Sequence, residues 1–390
     1  MTFDNSKGGE TRKGENMKSK VYFTDFRTYS RISLIEKFEK LISASDMDKI
    51  DFSGKFVAIK LHFGELGNLA FLRHNYAQTL ARHIKARGGI PFLTDCNTLY
   101  TGSRTNAVDH IHTAYTNGFN PVSCPDAPII IADGLKGTDE VDLPVPGGYY
   151  CPTAKIGRAI ADADIIISLN HFKGHESAGF GGAMKNLGMG CGSRAGKKDM
   201  HTSEKPLYNE DLCVGCESCA KVCAHGAQTF KDGKMVFDEN KCAGCGRCLE
   251  ACPTGALSTH TADDFRILNR KIAEYTKAIL VGKPNYHISL VVDVSPFCDC
   301  YGCNDTPIVP DVGMFASGDP VAIDKACIDA VNAQHPMEHS HLTDADNPYD
   351  KNLDNIYNNC KATDWKDAIH YAQELGLGNA DYELVQCKIN

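Results

Sequence analysis

Residues 164–192 read DIIISLNHFKGHESAGFGGAMKNLGMGCG, and the first six of them decide the fold class. Asp164–Leu169 is an apolar run without polar alternation, which is typical of a strand buried on both faces of a sheet. Similar runs precede it at Phe56–Leu61, Ile90–Thr94 and Pro128–Ala132. Strands of this kind belong to a sheet that is covered by helices on both sides.

Amphipathic segments alternate with these runs along the chain, and two of the early ones are followed by glycine, which commonly ends a helix. The alternation pauses near residue 193 and resumes at residue 264. It predicts an α/β fold with a mostly parallel sheet and helices on both faces. The further predicted elements are helices at Leu34–Leu41, Asn75–Arg87, Arg104–Asn117, Thr153–Ala163, Phe265–Ile279, Pro320–Val331 and Thr363–Leu377, and strands at His287–Val294 and Tyr382–Cys387.

Eight regularly spaced cysteines occupy the interruption. They form two runs, Cys213-x-x-Cys216-x-x-Cys219-x-x-x-Cys223 and Cys242-x-x-Cys245-x-x-Cys248-x-x-x-Cys252-Pro253. In bacterial ferredoxins this spacing binds two [4Fe–4S] clusters, each taking three thiolates from one run and the fourth from the other. Two zinc sites are the alternative, but zinc sites use Cys-x-x-Cys pairs and do not require a third cysteine at the same interval. The predicted ligand sets are Cys213, Cys216, Cys219 and Cys252 for one cluster, and Cys242, Cys245, Cys248 and Cys223 for the other.

The cysteine-rich segment, residues 204–262, is therefore predicted to be a small α+β module of the bacterial ferredoxin type. We expect it to be inserted into one α/β domain made of residues 20–203 and 263–390, with three domains in series as the alternative. Residues 1–19 are polar and glycine-rich, which predicts a disordered extension. Because Ala224 follows Cys223 where proline is usual, we expect the cluster that Cys223 binds to be the more solvated.

The composition of the chain limits the classes of binding partner that we expect. The chain has 41 Lys and Arg against 49 Asp and Glu, a net charge of −8 that disfavours nucleic acid and anionic membranes as partners. It contains no apolar run of membrane-spanning length, and its first residues lack the apolar core of a signal peptide, so we expect a cytoplasmic protein. The expected partner is a redox protein or a small-molecule electron donor or acceptor. The oligomeric state is not indicated.

Polar residues and glycines follow the predicted strands, at the sheet edge where open α/β sheets bind ligands. Neither nucleotide-binding fingerprint fits, since Cys191 stands where a phosphate loop needs glycine. A flavin would convert single electrons to a hydride, but no flavin motif is visible. The alternative is a solvated, flexible loop. The predicted catalytic residues are Lys173, His175 and Lys185, and the predicted cofactor-binding residues are Lys60, Asp95, Gly181, Gly182 and Asn186.

Three more cysteines stand close together, in Cys298-Asp299-Cys300-Tyr301-Gly302-Cys303, directly after a predicted strand. We include Cys298, Cys300 and Cys303 among the candidate catalytic residues. Three interpretations stay open: a third metal centre with a fourth ligand such as Cys191, a redox-active thiol pair, or small buried side chains.

The chain resembles the bacterial and archaeal proteins built on the "domain of unknown function 362". The resemblance covers nearly all of the chain after Met17. It implies an α/β domain interrupted by a ferredoxin module and an anaerobic or microaerobic setting, and it supplies no activity. The residues that carry it are Val57-Ala58-Ile59-Lys60, Asp95-Cys96-Asn97-Thr98-Leu99-Tyr100, the stretch from Lys173 to Gly192, and the stretch from Asp311 to Asp324.

The sequence thus predicts an iron–sulfur oxidoreductase that passes low-potential electrons through two clusters to a substrate or cofactor in the α/β crevice. Lysine or histidine there serves as proton donor if burial lowers its pKa. The alternative is a non-catalytic ferredoxin-type electron carrier or a metal-centre assembly factor, in which the Cys298–Cys303 group receives or passes a metal. A scaffold role ranks third, because bracing a fold does not require two neighbouring clusters.

Overall fold

The computed structural model of the chain describes residues 18–28, 32–201, 205–242, 244, 246–258, 262–344 and 354–387. The predicted disordered extension lies outside these ranges up to residue 17, while Ser19 already begins a strand. No helix among the described residues is long and apolar enough to cross a bilayer.

One mixed sheet forms the centre of the molecule. Within the described residues it has eight strands, which pair in parallel except that Gly313–Ser317 runs antiparallel to both of its neighbours. The prediction of a mostly parallel α/β sheet is confirmed. Across the sheet, the strands are Tyr382–Gln386, Ser19–Asp25, Gly313–Ser317, Asn285–Val291, Ile165–His171, Phe56–Lys60, Ile90–Asp95 and Ile129–Ile131.

Both faces of the sheet are buried, as the apolar runs predict. In the central strand Ile165–His171, the side chains of Ile165, Ile167 and Leu169 enter one apolar core, and Ile166 enters the opposite one. Successive side chains of a strand point to opposite faces, so a strand covered on both sides has to be apolar throughout. This is why the run carries no polar alternation.

The helices lie on both faces of this sheet. Most predicted elements are confirmed, with ends that differ by one to three residues. The prediction of one helix over Thr153–Ala163 is wrong. Thr153–Gly157 is a strand paired with Glu140–Pro144, and only Arg158–Asp162 is helical. The helices of the α/β part are Leu34–Ala44, His74–Ala86, Ala107–Thr116, Arg158–Asp162, Ala183–Cys191, Arg194–His201, Ala262–Leu280, Pro320–Asn332, Asn355–Asn359 and Trp365–Glu374.

The glycine-rich stretch after the central strand is ordered, so its interpretation as a flexible loop is wrong. It forms a short hairpin of Lys173–His175 with Gly179–Gly181 and then the helix Ala183–Cys191. A Cβ on Gly188 would lie 2.2 Å from a backbone carbonyl of the long helix Ala262–Leu280. The glycine therefore allows two helices to pack at close range rather than exposing backbone to a phosphate.

A buried carboxylate fixes the start of that helix. The two oxygens of Asp324 accept hydrogen bonds from the backbone N–H groups of Ala183 and Met184, at 2.6 and 2.9 Å. Burial raises the pKa of Asp324 to about 7 in spite of these hydrogen bonds. Asp324 thus ties the helix Pro320–Asn332 to the helix that follows the central strand.

The cysteine-rich segment forms a compact unit of its own. Its strands Gln228–Lys231 and Lys234–Phe237 pair as an antiparallel hairpin. Each cysteine run contains a short helix, Ser218–Lys221 in the first and Arg247–Glu250 in the second. The strands Leu207–Tyr208 and Leu257–Ser258 pair with each other, so the two ends of the segment meet. This geometry suits an insertion, although the domain boundaries themselves stay a prediction.

Candidate active site

A crevice opens where the parallel strands end, as the rule for open α/β sheets predicts. It is a cavity of about 620 Å³. Lys60, Asp95 and His171, the last residues of three neighbouring strands, line it together with the glycines 181 and 182. Five more predicted residues line the cavity: Lys173, Lys185, Asn186, Cys298 and Cys300.

Lys60 and Asp95 form a buried ion pair on the floor of the crevice. The Lys60 ammonium lies 3.0 Å from Asp95 and donates hydrogen bonds to the Asn186 side chain at 2.7 Å and to a backbone carbonyl. Arg104 lies 3.6 Å from Asp95 and pairs with Glu65 at 3.0 Å. Burial alone would raise the pKa of Asp95, but the surrounding positive charges, Lys60 foremost, hold that pKa well below its usual range. In the floor that these residues build, the carboxylates of Asp95 and Glu65 are both paired with cations.

Asp299 anchors the wall that carries the thiols. Its carboxylate is fully buried, lies 2.9 Å from the His171 ring and pairs with Lys173 at 3.4 Å. Burial lowers the pKa of Lys173, but Asp299 and the two neighbouring cysteines outweigh it and raise that pKa. The condition under which Lys173 would serve as a proton donor, a pKa lowered by burial, is therefore not met.

Cys298 and Cys300 are hydrogen-bonded to each other at the side of the crevice. The Lys185 ammonium lies 3.6 Å from the Cys298 sulfur. The hydrogen bond from Cys300 and the positive charges nearby hold the pKa of Cys298 well below its usual range, although the site is buried. The same hydrogen bond and burial raise the pKa of Cys300. Cys298 is therefore the more acidic thiol of the pair.

A third metal centre made of all three cysteines is not what the structure shows. Cys303 is exposed and does not line the crevice, and its backbone carbonyl faces the Asn68 side chain. Cys191 is fully buried in an apolar core, where burial raises its pKa to about 12. In the described part of the chain no three His, Cys, Asp or Glu side chains converge on a single metal ion, and this includes the four cysteines of the first predicted ligand set. The turn after Cys300 directs Cys303 outward.

His175 faces a second cavity of about 580 Å³, which we call the interface cavity. Its Nδ1 accepts hydrogen bonds from two backbone N–H groups at 3.1 Å, so its proton is on Nε2, 3.5 Å from Glu176. The wall between the two cavities is formed by the residues that line both, which are Lys185, Met189, Lys197 and Cys300. His175 is therefore beside the crevice rather than in it.

Positive charge dominates the crevice. Five cationic side chains line it, whereas around them the described residues include four buried carboxylates, those of Asp95, Asp299, Glu65 and Asp133. The excess favours an anionic ligand or a thiolate. Sequence reasoning missed four of the residues that create this field. Asp299 and His171 were adjacent to recognised motifs, but Arg104 and Lys197 lie in segments with no local signal.

The cysteines of the first predicted ligand set surround one cavity of about 300 Å³, lined by Cys213, Cys216, Cys219 and Cys252. Backbone N–H groups of Gly215 and Met235 donate to the Cys213 sulfur, and those of Thr254, Ala256 and Leu257 donate to Cys252. Four thiolates with N–H donors around one cavity fit a [4Fe–4S] cluster, in which such hydrogen bonds help to set the potential.

The second set is described in part, because Cys245 lies outside the described residues. Cys242 and Cys248 are buried, and Gly244 and Ala227 donate backbone hydrogen bonds to the sulfurs of Cys242 and Cys223. In the first set, by contrast, Cys216 is exposed. The expectation that the Cys223 side is the more solvated is therefore wrong for the described cysteines, since this side packs against the α/β part. A Cβ on Gly244 would lie 2.0 Å from the His201 carbonyl oxygen.

Arg247 makes the closest connection between the cysteine-rich segment and the crevice. It lies between Cys248 and Gly246, and its guanidinium donates a hydrogen bond of 2.9 Å to the backbone carbonyl of Cys300. It also stacks on Tyr100 and Tyr301, with centroid distances of 4.5 and 4.0 Å. The second cysteine run is thereby held directly against the thiol-bearing wall.

These features define an α/β protein with a positively charged crevice at the carboxyl edge of its sheet and a paired thiol in the wall. The chain belongs to the family described as "Domain of unknown function (DUF362)", whose profile matches residues 57–329. Comparison with curated proteins gives no match.

Two solved structures are distantly similar. One is a protein from Thermotoga maritima, with 12% identity and a TM-score of 0.35, covering 68% of this chain and 52% of that one. The other is the lactate racemase apoprotein from Thermoanaerobacterium thermosaccharolyticum, with 11% identity and a TM-score of 0.32, covering 70% and 51%. The chain spans about half the length of each.

Proposed function

We propose that this protein is an iron–sulfur oxidoreductase that passes low-potential electrons through two [4Fe–4S] clusters to an anionic substrate or cofactor in the crevice. The two ligand sets are those predicted from the spacing, Cys213, Cys216, Cys219 and Cys252 for one cluster and Cys242, Cys245, Cys248 and Cys223 for the other. The clusters supply one-electron transfer, and all other steps belong to the chain's own residues.

The observation that carries the proposal is the contact of Arg247 with the Cys300 carbonyl. It places the second cysteine run beside the interface cavity, whose far wall, Lys185 and Cys300, is also the wall of the crevice. The exposed Cys216 lies in the other ligand set. With clusters bound, the exposed first set would be the side open to a redox partner, and the buried second set would be the side nearer the crevice.

Each residue of the crevice has a separate task in this proposal. Lys60, Asp95 and Asn186 hold the floor rigid through their mutual hydrogen bonds. Lys173 stays charged and, with Lys185, attracts the anion and compensates for the negative charge that reduction adds. The Nε2 proton of His175 is available from the interface cavity.

The test is reoxidation of the reduced protein. The anaerobic protein is reduced photochemically, freed of reductant and mixed with small acceptors in a stopped-flow instrument while the cluster absorbance is followed. We expect anionic acceptors to reoxidise it faster than neutral ones of the same potential, and Lys185→Met to lose most of that preference. Equal rates for both acceptor classes, or none above the rate of free ferredoxin, would argue against a catalytic crevice.

The alternative, a carrier or assembly factor, is separated by replacing Cys298, Cys300 and Cys303 with serine and counting iron. Unchanged iron with lost turnover supports the oxidoreductase. A loss of about four irons per chain supports a third, transferable cluster.

A further inference from the structure

We propose that Cys298 and Cys300 form a redox-active pair that exchanges two electrons with a small anionic disulfide bound in the crevice. The proposal rests on the proposed function for the source of the electrons, and it adds the substrate class. Clusters deliver electrons singly, whereas a dithiol accepts or gives them in pairs, so the pair supplies the step between the two modes.

The backbone suits a reversible bond between these two cysteines. The amide of Tyr301 donates a hydrogen bond of 3.1 Å to the Cys298 carbonyl, which closes a turn over Cys298–Tyr301. Cys298 and Cys300 are the first and third residues of this turn, and two residues of even a fully extended chain span at most about 7 Å. Disulfides need Cα atoms about 4.4–6.8 Å apart. Both side chains also line the crevice, so the two thiols share one space.

The turn is also held firmly. The Asp299 carboxylate between the two cysteines is paired with His171 and Lys173, and its backbone carbonyl accepts a hydrogen bond of 2.9 Å from the Glu65 amide. Arg247 holds the Cys300 carbonyl from the other side. A buried, fully paired residue between two thiols gives the pair a fixed geometry rather than a flexible one.

The two cysteines occupy different positions, which suit them to different steps of the reaction. Cys298 lines the crevice and has Lys185 at 3.6 Å, which suits the attacking thiolate. Cys300 lines both the crevice and the interface cavity, which suits the resolving thiol. The five cationic side chains of the crevice favour a disulfide that carries carboxylates.

The atoms and electrons of the proposed cycle balance, with the electron donor as the reductant. The Cys298 thiolate attacks one sulfur of the substrate disulfide and releases the first product as a thiolate. The Cys300 thiol loses its proton, attacks the Cys298 sulfur and releases the second product, which takes that proton. The new Cys298–Cys300 disulfide is then reduced by two electrons and one proton to the starting thiolate and thiol. A low-potential one-electron donor of the ferredoxin class supplies the two electrons in turn.

The experiment measures the oxidation state of the cysteines directly. Anaerobically isolated full-length protein is equilibrated with mixtures of oxidised and reduced glutathione and quenched in acid. Free and oxidised thiols are alkylated with different labels, and the peptides are analysed by mass spectrometry. We expect Cys298 and Cys300 to convert together as a two-electron couple, with Cys303 titrating independently. Two thiols at every ratio, or glutathione adducts alone, would overturn the pair.

Variants assign the roles. Cys300→Ser should trap glutathione on Cys298, whereas the matched control Cys303→Ser should leave the midpoint unchanged. Lys185→Met destabilises the reduced form, so we expect the dithiol-to-disulfide ratio at a fixed potential to fall about tenfold, a shift of about 30 mV to lower potential. An unshifted midpoint in Lys185→Met, or no trapped adduct in Cys300→Ser, would contradict the assigned roles.

The substrate class has its own comparison, between oxidised glutathione and the cationic disulfide cystamine. We expect the anionic disulfide to oxidise the pair at least about tenfold faster, and equal or reversed rates would overturn the anionic substrate. Iron and sulfide are counted in the same samples. A two-electron thiol couple in protein without iron would refute the proposed iron–sulfur function and support the redox-active pair. Eight irons per chain with permanently reduced thiols would support the iron–sulfur function and refute the redox-active pair.

Discussion

Replacing Arg247 by methionine should detach the cysteine-rich segment from the crevice wall without unfolding either part. The methionine keeps an unbranched apolar side chain but removes the guanidinium. That guanidinium donates to the Cys300 carbonyl at 2.9 Å and stacks on two tyrosine rings. Because these contacts join the two parts of the molecule, their loss should appear as local opening of the turn that contains the thiol pair.

The magnitude follows from the contacts. A hydrogen bond from a charged donor contributes about 1.5–3 kcal/mol. Each cation–π contact contributes about 0.5–1 kcal/mol at an exposed site and about 2 kcal/mol when desolvated. Arg247 is only partly buried, and such terms do not add fully, so we expect a loss of about 2–4 kcal/mol in the free energy of local opening. This corresponds to about 30- to 1,000-fold in an opening equilibrium.

Hydrogen exchange measures that equilibrium at the Tyr301 amide, whose partner is the Cys298 carbonyl at 3.1 Å. We expect its exchange to accelerate by the factor above in Arg247→Met, with Arg247→Lys in between, because lysine keeps the charge but loses the planar fork. Arg266→Met is the matched control, since Arg266 is a half-exposed arginine paired with Asp263 at 2.7 Å. Exchange at Tyr301 within threefold of wild type, at equal iron content, would refute this account of the interface.

Three further predictions concern stability. Lys60→Met leaves Asp95 buried without its main partner and should lower the free energy of unfolding, measured with urea, by about 3–5 kcal/mol. Adding Asp95→Asn in a double variant should restore most of that loss. A loss below 1 kcal/mol in Lys60→Met would contradict the buried pair. Because burial raises the pKa of Asp324 to about 7, its contribution to stability is complete below about pH 4 and is lost as the pH rises to 7. Asp324→Asn should therefore gain on wild type by up to about 4 kcal/mol over that range, and a constant difference would contradict the raised pKa. Gly188→Ala should cost more than about 2 kcal/mol because its Cβ would meet a helix carbonyl, whereas Gly318→Ala, with room for a methyl group, should cost less than 1 kcal/mol; equal costs would contradict the close helix packing.

The sheet and the crevice were predictable because they depend on patterns that local sequence carries. A continuous apolar run such as Asp164–Leu169 indicates a strand covered on both faces, and the carboxyl ends of parallel strands meet at one edge. Lys60 and Asp95 were therefore placed in the same crevice before any contact was known. The sequence does not predict the strand Gly313–Ser317, because this strand has only five residues and no β-branched side chain.

The thiol pair shows where such reasoning ends. The spacing of Cys298, Cys300 and Cys303 gives no reason to distinguish the three thiols. In the structure, however, Cys303 follows the turn at Cys298–Tyr301 and is exposed. The reactivity of Cys298 depends on Lys185, which lies more than a hundred residues away in sequence. The helix Ala183–Cys191 was hidden for a related reason, since glycines that permit close helix packing resemble the glycines of a flexible loop.

The central claim is that two interleaved cysteine runs hold a pair of iron–sulfur cubanes beside this crevice. Metal and acid-labile sulfide analysis of anaerobically isolated protein, with electron paramagnetic resonance after reduction, tests it most directly. The account predicts about eight irons and eight sulfides per chain and the spectrum of reduced [4Fe–4S] clusters. Colourless protein that contains about two zinc ions per chain, no sulfide and no such spectrum would contradict it.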